Sequence, residues 1–234
     1  MRQRPGFIAG AGLVAVLVVA GIVVSLGAQL GGPSGAGGGK DSSGVSRAVK
    51  NAAAGGSVCG LTGMDSAGAT LTVAPVTRWA TVGRMAAPSS PTAGPGRKQS
   101  DGLRSCYSHT VAGALFAVAN VWAMGSDSRL YRSVLEQNTA TGAGRTAALN
   151  ETVGPSNTGV SSQIAGFKVT SYSPSEATVD IAFQLSSGTQ ISFPAPVKWQ
   201  NGDWKIELGA DGTPVFRPIT LQGLAGYTPW AGTE

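Results

Sequence analysis

The chain predicts an α+β fold in which helices pack on a curved four-stranded antiparallel sheet. Three observations lead there. A helix-length segment from Ser105 to Met124 is apolar almost all round. After Gly154-Pro155 the hydrophobic period changes from helical to two. An Asn201-Gly202 pair sits between two alternating segments. An N-terminal transmembrane helix and an extended arm pinned by a disulfide complete the predicted layout.

Residues 1–6 carry Arg2 and Arg4 and read as a short cytoplasmic start. The uncharged segment 7–30 opens with Phe7, closes with Leu30 and holds 24 residues. At about 1.5 Å per residue it is long enough for the ~30 Å hydrocarbon core, whereas secretory leaders have apolar stretches of only about 7–15 residues. It is therefore predicted to be a retained single-pass anchor in the cell membrane. With Arg2 and Arg4 before the span and no charge after it until Lys40, the N-terminus stays cytoplasmic and the C-terminal domain is extracellular. Residues 31–57 are rich in Gly, Ser and Ala and read as a flexible tether spanning about 30 Å on average.

Residues 58–104 contain the short apolar pieces Leu71-Thr72-Val73 and Val76 to Trp79. They also contain three prolines and two glycines between Ala86 and Gly96, which argue against a helix or a central strand. This is the predicted arm, with Trp79 as the side chain that anchors it. Cys59 and Cys106 are the two cysteines of the chain and both lie on the outward side, so a Cys59–Cys106 disulfide is expected.

Residues 105–217 form the predicted domain. The apolar run Val111 to Ala119 is too short to cross a bilayer and is followed by Asn120, which makes it a buried helix with Ser105 or Ser108 as its cap. Ser126-Asp127-Ser128 starts a second helix with Leu130, Tyr131, Val134 and Leu135 on one face, and Arg145 to Thr152 is a weaker third. Ile164 to Tyr172 is the first strand. In the next two strands Val179, Ile181, Phe183 and Leu185, then Ile191, Phe193, Val197 and Trp199, alternate with more polar residues. Pro194 and Pro196 in the third strand predict a bend, bulge or edge there. Asn201-Gly202 then turns the chain into Asp203 to Leu208. The tail, 218–234, is expected to be neither helix nor ladder strand, and to pack back on the domain through Tyr227 and Trp230.

Charge argues against a nucleic-acid partner, and none is expected. The formal net charge is +5, but once Arg2 and Arg4 are assigned to topology 15 basic residues face 12 acidic ones, and none cluster more densely than Arg97-Lys98. Catalysis is equally poorly provided for. His109 is the one histidine, three residues after Cys106 and thus one turn along the predicted helix, but the thiol has a ready partner in Cys59. Zinc would need a fourth ligand beyond Cys59, Cys106 and His109. The stretch Ser34 to Asp41 imitates a phosphate loop, with Ser34 in place of the first Gly and Asp41 in place of Ser or Thr. Glu176, Asp180, Asp203, Glu207 and Asp211 read as solvated charges on outer strand faces and turns. No catalytic residue, metal or cofactor is assigned.

Helices followed by a long antiparallel sheet, closed by Val197-Lys198-Trp199-Gln200-Asn201-Gly202-Asp203-Trp204-Lys205-Ile206, resemble the nuclear transport factor 2-like (cystatin-like) cone. With one span and a tether in front, the layout is similar to the scaffold proteins of conjugation and type IV secretion machines. Cys59-Gly60-Leu61, Cys106-Tyr107-Ser108-His109-Thr110 and Gly226-Tyr227-Thr228-Pro229-Trp230 also resemble uncharacterised actinobacterial membrane proteins of mobile elements. The resemblance implies a non-enzymatic, membrane-anchored assembly component whose partners are other subunits of a membrane complex, a homo-oligomer included. The alternative is an extracytoplasmic small-molecule or lipid-binding module with an apolar cone cavity lined by Phe183, Phe193 and Trp199.

Overall fold

The computed structural model describes residues 56–151 and 161–232. The predicted cytoplasmic start, the anchor at 7–30 and nearly all of the tether lie outside the described residues. Among the described residues no helix is long and apolar enough to cross a membrane. The domain is α+β, with three α-helices, a mostly antiparallel sheet and a Cys59–Cys106 disulfide.

The arm is not simply extended, because it folds into two short antiparallel ribbons. Strands β1 (Arg78–Val82) and β2 (Met85–Ser89) pair with each other, as do β3 (Arg97–Lys98) and β4 (Arg104–Ser105). Pro88 is tolerated in β2 because each strand of a two-stranded ribbon keeps one edge free of ladder bonds.

Helix α1 (Val111–Gly125) is capped by Thr110, whose hydroxyl accepts the Gly113 N–H at 3.0 Å, and not by Ser105 or Ser108. The helix therefore begins after Cys106 and His109, which corrects the placement of those two residues one turn apart on it. Cys106 instead sits in a corner with φ of 68°. Asp127 caps a 3₁₀ turn, Ser128–Leu130, that leads into α2 (Tyr131–Asn138), and α3 (Ala143–Asn150) follows.

The sheet contains the four predicted strands, β5 (Ser162–Tyr172), β6 (Glu176–Leu185), β7 (Gln190–Gln200) and β8 (Asp203–Ile206). At the β7–β8 turn Asn201 and Gly202 both have positive φ, 55° and 74°, as a type I′ hairpin requires. The tail adds two strands that the sequence reading had excluded. Strand β9 (Ile219–Leu221) pairs with β7, and β10 (Thr228–Pro229) pairs with β5. Strand β8 covers Val197 to Gln200 and β9 covers Gln190 to Ser192 along the same strand. Pro194 falls in the gap between them, where β7 is an edge and its missing N–H costs no ladder bond, while the Pro196 carbonyl accepts the Glu207 N–H at 3.0 Å.

The core lies between α1 and the sheet. Val111, Leu115, Phe116 and Val118 from the helix, and Phe167, Val179, Ile181, Val197 and Trp204 from the strands, are buried to within 1%. Each such side chain contributes roughly 1.5–3 kcal/mol by leaving water.

Candidate functional site

The polar chemistry of the domain concentrates where β8 meets the disulfide corner. Asp203, the first residue after the Asn201-Gly202 turn, is buried. One carboxylate oxygen accepts the Tyr107 N–H at 2.8 Å and the Trp204 N–H at 2.9 Å. The other accepts the Cys106 N–H at 2.9 Å and pairs with Lys205 Nζ at 2.8 Å. Asp203 is therefore not the solvated turn residue that the sequence suggests. A corner with positive φ turns successive N–H groups toward one point, and an anion there satisfies them. Gly96 also belongs to this corner, since it donates to the Cys106 carbonyl at 2.7 Å and a Cβ on it would collide with Cys59 Sγ.

A cleft of about 250 Å³ opens beside the corner, with Arg97, Gln137, Arg145, Gln200, Asp203 and Lys205 among its walls. Arg145 donates to the Glu136 carbonyl at 3.1 Å, and Lys205 donates to the Gln137 carbonyl at 2.6 Å. Gln200 accepts from both the backbone and the hydroxyl of Thr141, at 2.8 and 3.0 Å. These contacts tie α2 and α3 to β7 and β8.

His109 is buried and its ring lies flat on Trp199, with centroids 3.9 Å apart and an interplanar angle of 4°. Trp204 meets it edge-on at 5.8 Å, and the His109 Nε2 contacts the Pro174 carbonyl. Both cysteines are joined to each other. The side chains best suited to nucleophilic or acid–base chemistry are thus built into the framework.

Two of the three residues predicted to line a cavity pack on each other. Phe183 and Phe193 pack on each other and on Trp122, and Phe193 also meets Phe216, with centroid separations of 4.6–6.1 Å. Trp199 lies apart from them, stacked on His109. A different apolar cleft of about 110 Å³ runs between α1, α2 and the segment after β8, with Trp122, Tyr131, Leu135, Leu208, Pro214 and Phe216 on its walls.

The packing residues meet at a second locus. Trp230 is buried, its ring 4.9 Å from Trp79, 5.4 Å from Phe116 and 5.6 Å from Phe167, and its Nε1 donates to Thr77 at 2.9 Å. Tyr227 donates to Asp180 at 2.6 Å and reaches Ser192 at 2.9 Å. Asp180, predicted to be solvated, is buried because the tail covers the outer face of β6. Burial and the Asp180 carboxylate push the Tyr227 phenol up to about 12, and burial does the same for Tyr172.

Sequence reasoning missed the corner role of Asp203 and the tail role of Asp180. Each partner lies far away in sequence, 97 residues for Asp203–Cys106 and 47 for Asp180–Tyr227, so no local pattern announces it. Residues 40–229 match the family described as a domain of unknown function, DUF8175, and the chain belongs to that family. No curated protein and no solved structure matches.

Proposed function

We propose that this family member is a non-enzymatic, membrane-anchored extracytoplasmic assembly component, serving a conjugation or secretion apparatus through contacts with other protein subunits. The observation that carries the reading is the fate of the reactive side chains. Cys59 and Cys106 are bonded to each other, His109 is stacked on Trp199 with Trp204 edge-on to it, and the Asp203 carboxylate is filled by three N–H groups and Lys205. The segment before β1 adds a surface suited to partners, since Met64, Val73 and Val76 are 56%, 75% and 88% exposed. The sequence supplies the rest of the reading, namely the basic start, the uncharged segment 7–30 and the tether that holds the domain off the bilayer.

The test is affinity purification of the full chain from gently solubilised membranes, combined with deletion of the gene in a transfer-competent strain. Co-purification of transfer-machine subunits and a drop in transfer frequency on deletion are the expected results. Recovery of the chain alone, with transfer undiminished, overturns the proposal.

A further inference from the structure

The β3–β4 ribbon places two cations where a ribbon ordinarily avoids them. Lys98 and Arg104 are direct cross-strand partners, so their side chains leave the same face of the ribbon, and like charges in that position repel. Arg104 is also buried, at 6% exposure. Its side chain makes one hydrogen bond, from Nη1 to the neutral amide oxygen of Asn120 at 3.3 Å. Buried guanidinium groups are ordinarily paired with an anion, and among the described residues no carboxylate pairs with this one.

The surroundings sharpen the anomaly. Among the described residues the ion pairs are Arg129–Asp127, Arg132–Glu136, Lys198–Glu207 and Lys205–Asp203, so Arg78, Lys98 and Arg104 all stand outside them. Asp101, in the turn between β3 and β4, is occupied by the Leu103 N–H at 2.9 Å. Burial first, and then the charges of Arg104 and Arg78, hold the Lys98 ammonium below its ordinary value. Among the described residues the fully buried side-chain atoms without a partner belong to Tyr107, Trp122, Asn138 and Asp180, so the remaining Arg104 guanidinium nitrogens are not sealed from solvent. Lys98 and Arg104 therefore leave one face of the ribbon, Arg78 acts on it from β1, and among the described residues no carboxylate pairs with any of the three.

We propose that Arg104, Lys98 and Arg78 form a binding site for a phosphate-type oxyanion, held by the open guanidinium donors and flanked by the two exposed cations. A phosphate carries about 1.5–2 negative charges and matches three cations better than a monoanionic carboxylate does. The phosphate is either free or carried on a lipid headgroup of the membrane beside which the domain is proposed to sit. The site does not depend on the assembly reading.

The experiment is thermal unfolding and calorimetric titration of the full chain in neutral detergent. Inorganic phosphate is compared with acetate and with chloride at matched ionic strength. At ten times the dissociation constant, phosphate raises the unfolding midpoint by about 3–6 °C, while acetate and chloride do not. Lys98→Gln and Arg78→Gln, both at exposed positions, each weaken phosphate binding about tenfold. Arg104→Met abolishes the phosphate response and unfolds no earlier than the parent in phosphate-free buffer, because it removes an unpaired buried charge. If Arg104→Met fails to fold, the two exposed variants decide the matter. Phosphatidylglycerol vesicles that compete with phosphate, where phosphatidylcholine vesicles do not, identify a headgroup ligand; absence of competition identifies the free ion. No phosphate response beyond chloride, an equal response to acetate, or unchanged affinity in both Gln variants overturns the proposal.

Discussion

The Cys106 corner and the C-terminal tail both fasten irregular chain onto the α+β body, and they do so with opposite chemistry. The corner is held by a covalent bond and a buried carboxylate that takes three backbone N–H groups. The tail is held mainly by aromatic area, Trp230 among Trp79, Phe116 and Phe167, with side-chain bonds from Tyr227 to Asp180 and from Trp230 to Thr77 and two short strand pairings beside it. Directional bonds fix one backbone geometry and fail together when the acceptor is lost. Ring packing is graded, and loses stability in proportion to the area removed.

The comparison is broken most severely at Asp203. Asp203→Ala leaves three buried N–H groups without an acceptor and Lys205 without its counter-charge, and is expected to cost about 3–5 kcal/mol in denaturant unfolding. A loss below about 1 kcal/mol would show that water replaces the carboxylate. Trp230→Ala is expected to cost about 3–4 kcal/mol through the cavity it leaves between the arm and the tail. Because Asp203 and Trp230 share no partner, the double variant is expected to lose the sum of the two to within about 0.5 kcal/mol.

Replacing both cysteines by serine is expected to cost about 2–4 kcal/mol, since the bond closes a loop across 47 positions. This change sharpens the comparison when combined with Asp203→Ala. The carboxylate can hold the corner only where the bond positions it, so the combined loss falls short of the sum by about 1 kcal/mol or more. Strict additivity would mean that the bond and the carboxylate act independently.

The same division explains what the sequence disclosed. Local patterns carried the body, because the period-two alternation of β6 and β7, the apolar run of α1 and the Asn201-Gly202 turn each express geometry within a few residues. The cysteine pairing was legible because only two cysteines exist. What failed were the positions decided across the chain. Asp180 lies on the polar phase of β6 and reads as solvated, but Tyr227 covers it from 47 residues away. Asp203 reads as the far side of a tight turn, and its N–H partners are 96 and 97 residues distant. The tail strands β9 and β10, of three and two residues, are too short to show a period.

The smallest effect, and the one that separates the two chemistries by pH, is expected at Tyr227. Burial first, and the Asp180 carboxylate second, raise its phenol from 10 to about 12, and burial raises Tyr172 to about 12 as well. A group whose folded value is raised contributes stability that is complete below the unfolded value of about 10 and is lost as pH climbs to about 12. In that window the unfolded chain releases protons that the folded chain retains. The parent protein is therefore expected to lose stability steadily between pH 10 and 12. Tyr227→Phe removes the bonds to Asp180 and Ser192 and is expected to cost about 1 kcal/mol at pH 8. It also removes one of the raised phenol titrations, which Tyr107, Tyr131 and Tyr172 share, so its stability falls less steeply and the gap to the parent narrows by pH 12. Unfolding midpoints in denaturant at pH 8, 10 and 12 measure this directly. A gap that stays constant across the series would mean that the Tyr227 hydroxyl titrates as it does in water, and that its bond to Asp180 adds nothing to the hold of the tail on the sheet.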